Sequence, residues 1–280
     1  GHTAFDDLVR EEAPQRDDFE EAALRAHPQS YIDAVRASAP EPGGASVRLD
    51  ADTVMSPGTW EAVCRSVGAG LRAVDQVIEP GNGISNAFCQ VRPPGHHAEA
   101  VRAMGFCLFN NVAIAAHYAR VKHGAERVAV VDFDVHHGNG TQDIFWSDPD
   151  LLYCSTHEMP LYPGTGAASE TGVGNIVNAP LRSGDDGEAF RDATESRILP
   201  ALDAFRPDLI IISAGFDAHE ADPLAGLRLT EADFSWVTQA LIERADRHCE
   251  GRIVSMLEGG YDLTALAKST AVHVKALMDA

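Results

Sequence analysis

The sequence predicts an α/β fold: an open, mostly parallel sheet flanked by helices. Two observations carry that expectation. Val128-Ala129-Val130-Val131 and Leu209-Ile210-Ile211-Ile212 are apolar without alternation, as strands covered on both faces are. From Gly83 onward, short runs of this kind alternate with stretches of helical periodicity, the order that yields parallel strands joined by helices. Right-handed crossovers then gather the strand carboxyl ends, and any ligand site, along one edge.

Taken in order, strands are expected over 87–91, 127–133, 151–155, 175–178, 208–213 and 252–257. Amphipathic helices are expected over 111–122, 188–205 and 230–248. The loosest segment, 39–46, reads Ala-Pro-Glu-Pro-Gly-Gly-Ala-Ser and is expected to be a surface loop. No internal repeat or low-complexity tract interrupts the chain, and nothing resembles a linker. Residues 1–280 are therefore read as a single domain, of a length that suits one α/β unit.

Composition narrows the function. Hydrophobic residues make up 45% of the chain, enough for a buried core. No apolar run approaches the roughly 20 residues that cross a bilayer, and Gly1-His2-Thr3-Ala4-Phe5-Asp6-Asp7 lacks the basic and apolar parts of a signal peptide. The expectation is a cytoplasmic protein with no membrane partner. Cys64, Cys89, Cys107, Cys154 and Cys249 are scattered and include no C-x-x-C pair, so neither a disulfide framework nor a thiolate metal site is expected. The formal net charge of −20 repels phosphate backbones and argues against nucleic acid as a partner. It could attract cationic substrates, although solubility explains much of it, as in Asp17-Asp18-Phe19-Glu20-Glu21.

The chemistry-bearing residues follow the expected strands. Val130-Val131-Asp132-Phe133-Asp134-Val135-His136-His137-Gly138-Asn139-Gly140 runs from an apolar strand into carboxylates and imidazoles, and an extended chain would set Asp132, Asp134 and His136 on one face. Carboxylates buried there need a cation or a hydrogen-bond network. Ser213-Ala214-Gly215-Phe216-Asp217 offers another carboxylate after a buried strand; alone it would read as a cap or turn residue. With Asp134 and His136 it would make a three-ligand site with an open position, the layout of catalytic zinc, and the sulfur-free donors also admit Fe(II) or Co(II). Arg92-Pro93-Pro94-Gly95-His96-His97 supplies imidazoles suited to acid/base work. Glu258-Gly259-Gly260-Tyr261 supplies a flexible loop and a phenol, which alone would read as packing.

Together these motifs, with Gly105-Phe-Cys-Leu-Phe-Asn-Asn111 and Tyr162-Pro-Gly-Thr-Gly166, resemble the histone deacetylase superfamily, including bacterial histone deacetylase-like amidohydrolases and acetylpolyamine amidohydrolases. They recur in family order from about residue 50 onward, and Asn139 and Ala214-Gly-Phe-Asp217 are closer to the class II form. The resemblance implies the arginase/deacetylase-like fold. It implies Asp134, His136 and Asp217 as zinc ligands, His97 as general base, His96 as its partner, and Asp132 and Asn139 as the groups behind the two histidines. It further implies Phe106 and Tyr162 as aromatic walls, Gly105 as a carbonyl near the leaving nitrogen, Tyr261 as oxyanion donor, and potassium at Asp132 and Ser155. Leu224 stands where a polyamine-selective relative carries a gatekeeper glutamate. The family also has an earlier strand and an H-P-E-x-P loop; the sequence has neither, so that strand and one rim of the mouth are expected to be missing.

The activity implied is zinc-dependent hydrolysis of an acetylated amine or acetyl-lysine substrate; the oligomeric state stays open, bacterial relatives often being homodimers or homotetramers. Acetylpolyamines and other small amides are alternative substrates. Two readings of other classes stay open: a binuclear manganese hydrolase of the arginase type, suggested by Asp217-x-His219 and Asp222-Pro223, and a non-catalytic acetyl-group binder.

Overall fold

The computed structural model describes residues 4–79, 81 and 83–280. Residues 1–3, on which the reading of the amino terminus partly rests, lie outside the described residues. An antiparallel hairpin of two-residue strands, β1 (Val47–Arg48) and β2 (Val54–Met55), precedes the main sheet. That sheet holds β3 (Asn86–Cys89), β4 (Val128–Asp132), β5 (Leu151–Glu158), β6 (Ile176–Leu181), β7 (Leu209–Ala214) and β8 (Ile253–Leu257). Its order is β3-β8-β7-β4-β5-β6, and every pairing is parallel. All the expected strands of this sheet are present, with ends moved by a few residues.

The unbroken apolar runs make physical sense once the two faces are separated. Val128, Val130, Leu209 and Ile211 enter one core, while Ala129, Val131, Ile210 and Ile212 enter the other. Successive residues of a strand point to opposite faces, so the body of a strand between two helical layers is apolar on both sides.

The described helices are α1 (Phe19–Ala23), α2 (Gln29–Ala37), α3 (Thr59–Ile78), α4 (Asn111–His123), α5 (Asn139–Phe145), α6 (Gly187–Ala193), α7 (Leu199–Phe205), α8 (Glu231–Cys249) and α9 (Leu263–Met278). Asn110 caps α4 by accepting from the Ala113 N–H at 3.0 Å, and Gly124 ends it at φ 73°. Thr230 and Asp233 form a capping box at the start of α8. The expected helix over 188–205 is divided: a π-helical turn, Thr194–Ile198, joins α6 to α7. Among the described residues no helix is long and apolar enough to cross a membrane. The five cysteines are free, and all but the half-buried Cys64 are buried.

The chain leaves β4 towards β5 and β6 on one side, then returns to β7 on the other. The carboxyl ends of β4 and β7 therefore flank a switch point, where an open α/β sheet has its crevice. Below that edge, the turn between α5 and β5 is fastened by one buried side chain. Asn175 Nδ2 lies 2.8, 2.9 and 2.8 Å from the carbonyl oxygens of Phe145, Asp148 and Leu151. Asn175→Ala removes the side-chain donor that the three carbonyls share and leaves Phe145 and Asp148 only the N–H groups of Asp148 and Leu151, an expected loss of about 1–3 kcal/mol. A thermal melt should show a Tm several degrees lower; an unchanged Tm would mean that water replaces the amide.

Candidate functional site

β4 ends at Asp132, and the chain beyond it curls instead of continuing extended. Asp132 Oδ1 accepts from the Asp134 N–H at 3.1 Å, and Asp134 Oδ1 accepts from the His136 N–H at 2.9 Å. The shared strand face expected from the sequence is thus replaced by two successive turns, each closed by a carboxylate on the N–H two residues ahead. The turns carry Asp134 and His136 towards Asp217, which follows β7 and accepts from the Val135 N–H at 2.9 Å. His136 Nδ1 lies 3.2 Å from Asp134 Oδ1 and 3.1 Å from Asp217 Oδ2. Donor atoms of the three buried side chains all fall within 4.8 Å of one another.

Two glycines make room for this group. A Cβ on Gly215 would sit 2.1 Å from Asp134 Oδ2, and one on Gly259 would sit 2.2 Å from Asp217 Oδ2 and 2.6 Å from Asp134 Oδ2. The Gly259 N–H instead donates to Asp134 Oδ2 at 2.8 Å. The electrostatics favour a cation here. Burial, reinforced by Asp134, pushes the Asp217 carboxyl up to about 6. Burial opposes a charge on His136, yet the two carboxylates outweigh it and raise the imidazole to about 11. An ion and a proton compete for such donors.

The tandem histidines come from the turn after β3. The Gly95 and His96 N–H groups donate to Glu258 Oε2 at 2.7 and 3.2 Å, and Ser213 Oγ donates to Glu258 Oε1 at 3.2 Å. A fully buried carboxylate from the end of β8 thereby ties the histidine loop to β7; burial pushes it up to about 7. His96 Nδ1 lies 3.0 Å from Asp132 Oδ2, which also accepts from the Tyr153 hydroxyl at 3.0 Å. His97 Nδ1 lies 2.8 Å from Asn139 Oδ1. The two rings are 4.0 Å apart between centroids but differ in charge preference. Burial disfavours the cation at His96, but Asp132, Asp134 and Glu258 outweigh it and raise the ring to about 10. Burial, and then the charge of His96, hold His97 well below the usual histidine range.

The aromatic residues named from the sequence stand around these groups. Tyr162 meets His97 edge-on with centroids 5.2 Å apart, and Phe106 and Tyr261 are 6.0 Å apart. Phe106 and Tyr162 are about two-fifths exposed, at 40% and 39%. Gly105 presses on His97: an added Cβ would lie 2.3 Å from Cδ2. The hairpin loop holds this turn, since Asp52 Oδ1 accepts from the Gly105 N–H and Thr53 Oγ1 from the Phe106 N–H, both at 3.1 Å. Asp222 accepts from the N–H groups of Tyr261, Asp262 and Leu224 at 2.7, 3.3 and 3.0 Å, which fastens the loop of the exposed Leu224 to the Tyr261 loop. Ser155 lies beside Asp132 in the neighbouring strand, and its hydroxyl is 2.8 Å from His157 Nδ1.

Asp222 is thus engaged by backbone, and His219 Nδ1 accepts from the Ala221 N–H at 3.0 Å with Nε2 3.6 Å from Glu231. Among the described residues only Asp134, His136 and Asp217 gather as a metal-binding group, so the second ligand set of a binuclear reading does not assemble. Sequence reasoning assigned no part to Glu258, Tyr153, Glu99, Asp52 or Thr53. Glu258 stood inside a quoted motif; Tyr153, in the middle of a strand, carried no signal of its partner.

A family model described as histone deacetylase domain matches residues 4–277. An uncharacterized protein of Synechocystis sp. is 46% identical over 91% of the chain and 81% of its own length. The histone deacetylase-like amidohydrolase of Pseudomonas aeruginosa is 41% identical over 86% of the chain; the chain spans 64% of that relative, less than two thirds. Among solved structures, the HDA15 HD domain superposes with a TM-score of 0.87 at 36% identity, covering 97% of the chain and 74% of that domain's chain.

Gly259→Ala drives a methyl group into both carboxylates at the switch point. The expected outcome is a folded protein that no longer retains one divalent metal per chain after dialysis, measured by elemental analysis beside the wild type. Full retention would show that the loop yields without disturbing the donors.

Proposed function

The chain belongs to the histone deacetylase family, and from that membership we propose that it is a zinc-dependent amidohydrolase that removes acetyl groups from acetyl-lysine-like substrates. The observation that carries the reading is the convergence of a three-donor group, the buried His97 imidazole and the Tyr261 phenol at one sheet edge. Asp134, His136 and Asp217 would hold the metal. Two carboxylates and an imidazole, with a fourth position left for substrate or water, suit catalytic zinc, and Fe(II) or Co(II) accept the same donors. When bound, the ion supplies Lewis acidity, polarising the acetyl carbonyl and acidifying water.

The chain's own residues do the rest. His97 takes the proton of the attacking water, for which its depressed pKa leaves it neutral at physiological pH. Tyr261 donates its hydroxyl to the carbonyl oxygen as that oxygen gains charge; burial raises the phenol's pKa, so the proton is present to donate. One such donor contributes about 3–4 kcal/mol. His96, paired with Asp132, keeps a positive charge beside the developing anion. The protonated His97 then gives its proton to the departing amine, and acetate and a free amine leave. Phe106 and Tyr162 would flank the substrate's methylene stem, and the Gly105 carbonyl would lie near its nitrogen. A potassium ion at Asp132 and Ser155, neighbours in paired strands, stays part of this proposal as what the family resemblance implies.

A second substrate class is favoured by one observation. Asp52 accepts from the Gly105 N–H beside the wall residue Phe106, which puts a carboxylate near the mouth where the amines of an acetylpolyamine would extend. Comparison of kcat/KM on acetyl-lysine peptides with N-acetylputrescine and acetylspermidine separates the two.

Chelation should abolish acetate release, and zinc should restore it. Tyr261→Phe should lower kcat by about 100-fold or more with zinc retained, and near-wild-type turnover would remove its assigned part. His97→Ala should remove activity without loss of the fold. A wild-type protein that binds zinc yet releases no acetate from any of these substrates would leave the acetyl-group binder as the better reading.

A further inference from the structure

The next step rests on His97 as the base of the reaction proposed above. To accept a proton from water, the imidazole must carry hydrogen on Nδ1 and a lone pair on Nε2. Asn139, the neighbour of Nδ1, does not by itself dictate this, because its amide could turn and offer either an oxygen or an NH2 group. Turned the wrong way, it would favour the other tautomer and leave no lone pair facing the substrate.

The amide is not free to turn. Asn139 Nδ2 lies 2.8 Å from Glu99 Oε1, and a carboxylate offers only acceptors. The nitrogen must therefore face Glu99, and the oxygen must face His97 Nδ1, 2.8 Å away. The same nitrogen has a weak acceptor in Met104 Sδ at 3.4 Å, which agrees with this orientation. We propose that Glu99 is a positioning residue that sets the tautomer of His97 through the Asn139 amide, touching neither substrate nor metal. The relay differs in kind from the direct pairing of His96 with Asp132. A carboxylate in contact raises an imidazole's hold on its proton, whereas an amide aligned from behind selects the tautomer with no full charge at the ring.

The backbone around Glu99 is anchored independently of its carboxylate. The Glu99 N–H donates to the Arg102 carbonyl at 3.0 Å, the Ala100 N–H donates to Asp143 Oδ2 at 3.1 Å, and the Ala100 carbonyl meets His27 Nδ1 at 3.1 Å. Side-chain variants at position 99 should accordingly keep the loop in place.

The test is a mutant cycle on the zinc-loaded enzyme, each protein assayed at its own pH optimum. Glu99→Ala frees the amide and should lower kcat roughly 10- to 100-fold with KM little changed, short of the about 10⁴-fold that a locked wrong tautomer costs. Asn139→Asp alone sets two carboxylates against each other and should also be impaired. In the double variant E99Q/N139D, the amide introduced at position 99 can donate to the carboxylate introduced at position 139. That carboxylate accepts from His97 in either orientation. The double variant should be more active than N139D alone, a rescue a bracing role would not give. Long-range 1H–15N spectra of histidine-labelled protein read the tautomer directly: Nδ1–H at His97 in the wild type and the double variant, with Nε2–H gaining in E99A. A double variant no more active than N139D, or an unchanged tautomer in E99A, would overturn the assignment to Glu99. Failure of the deacetylase reading would look different: no turnover by the wild type, with the spectra still deciding the part played by Glu99.

Discussion

The structure is organised by the need to compensate carboxylates that the fold buries at one sheet edge. Asp132, Asp134, Asp217 and Glu258 are at most 1% exposed, and a buried carboxylate without partners is among the costliest features a protein can hold. Three of them are met by backbone N–H groups of other loops, Val135 for Asp217, Gly259 for Asp134, Gly95 and His96 for Glu258, while Asp132 is met by the side chains of His96 and Tyr153. Each carboxylate therefore ties the exit of one strand to the exit of another. The loops that carry the histidines and the phenol are held by the same bonds that make the charges tolerable. What those bonds leave facing inward is a set of donors around His136 Nδ1, and there the remaining negative charge calls for a cation.

What was legible in the sequence follows from how local each signal is. The main sheet could be read because burial on two faces leaves β4 and β7 apolar up to Asp132 and Ser213 at their carboxyl ends. The residues at its carboxyl edge could be read because polar groups directly after such strands are conspicuous. α3 was overlooked although Val63, Val67, Leu71, Val74 and Val77, all buried, recur at helical spacing. The hairpin was invisible, since two-residue strands carry no period to detect. Asp132, Asp134 and His136 were recognisable as a group while their geometry was not, because strand and turn share that spacing and the bond from Asp132 to the Asp134 N–H decides between them. Glu258 and Tyr153 were missed for another reason. Their partners Gly95 and Asp132 lie far away in sequence, and only the parallel order of the strands brings them together.

His96 and His97 show how neighbours separate two identical side chains. They are consecutive, both almost fully buried, and their rings nearly touch. Burial alone would make both neutral. Asp132 reverses this for His96, and the charge then present on His96 drives His97 further the other way. A neighbouring amide at His97, where a second carboxylate could have stood, preserves the difference. One ring is left as a fixed charge and the other as a group that can take up a proton.

The amino-terminal hairpin, outside the main sheet, bears on both the mouth and the base. Gly105 and Phe106 have φ of 57° and 67°, and for a bulky residue such as Phe106 the left-handed region costs about 1–2 kcal/mol. A turn like this persists only if its surroundings hold it, and the holding groups are Asp52 and Thr53 at the hairpin's tip. The strained turn does two things together. It sets Gly105 so close to His97 that no side chain would fit, and it stands the Phe106 ring at the entrance beside Tyr261. The turn that carries the exposed Phe106 ring and the surface that braces the imidazole are therefore one piece, steadied from outside the sheet. A change in the hairpin would reach both the Phe106 ring and the His97 imidazole, because Asp52 and Thr53 hold the turn that touches both.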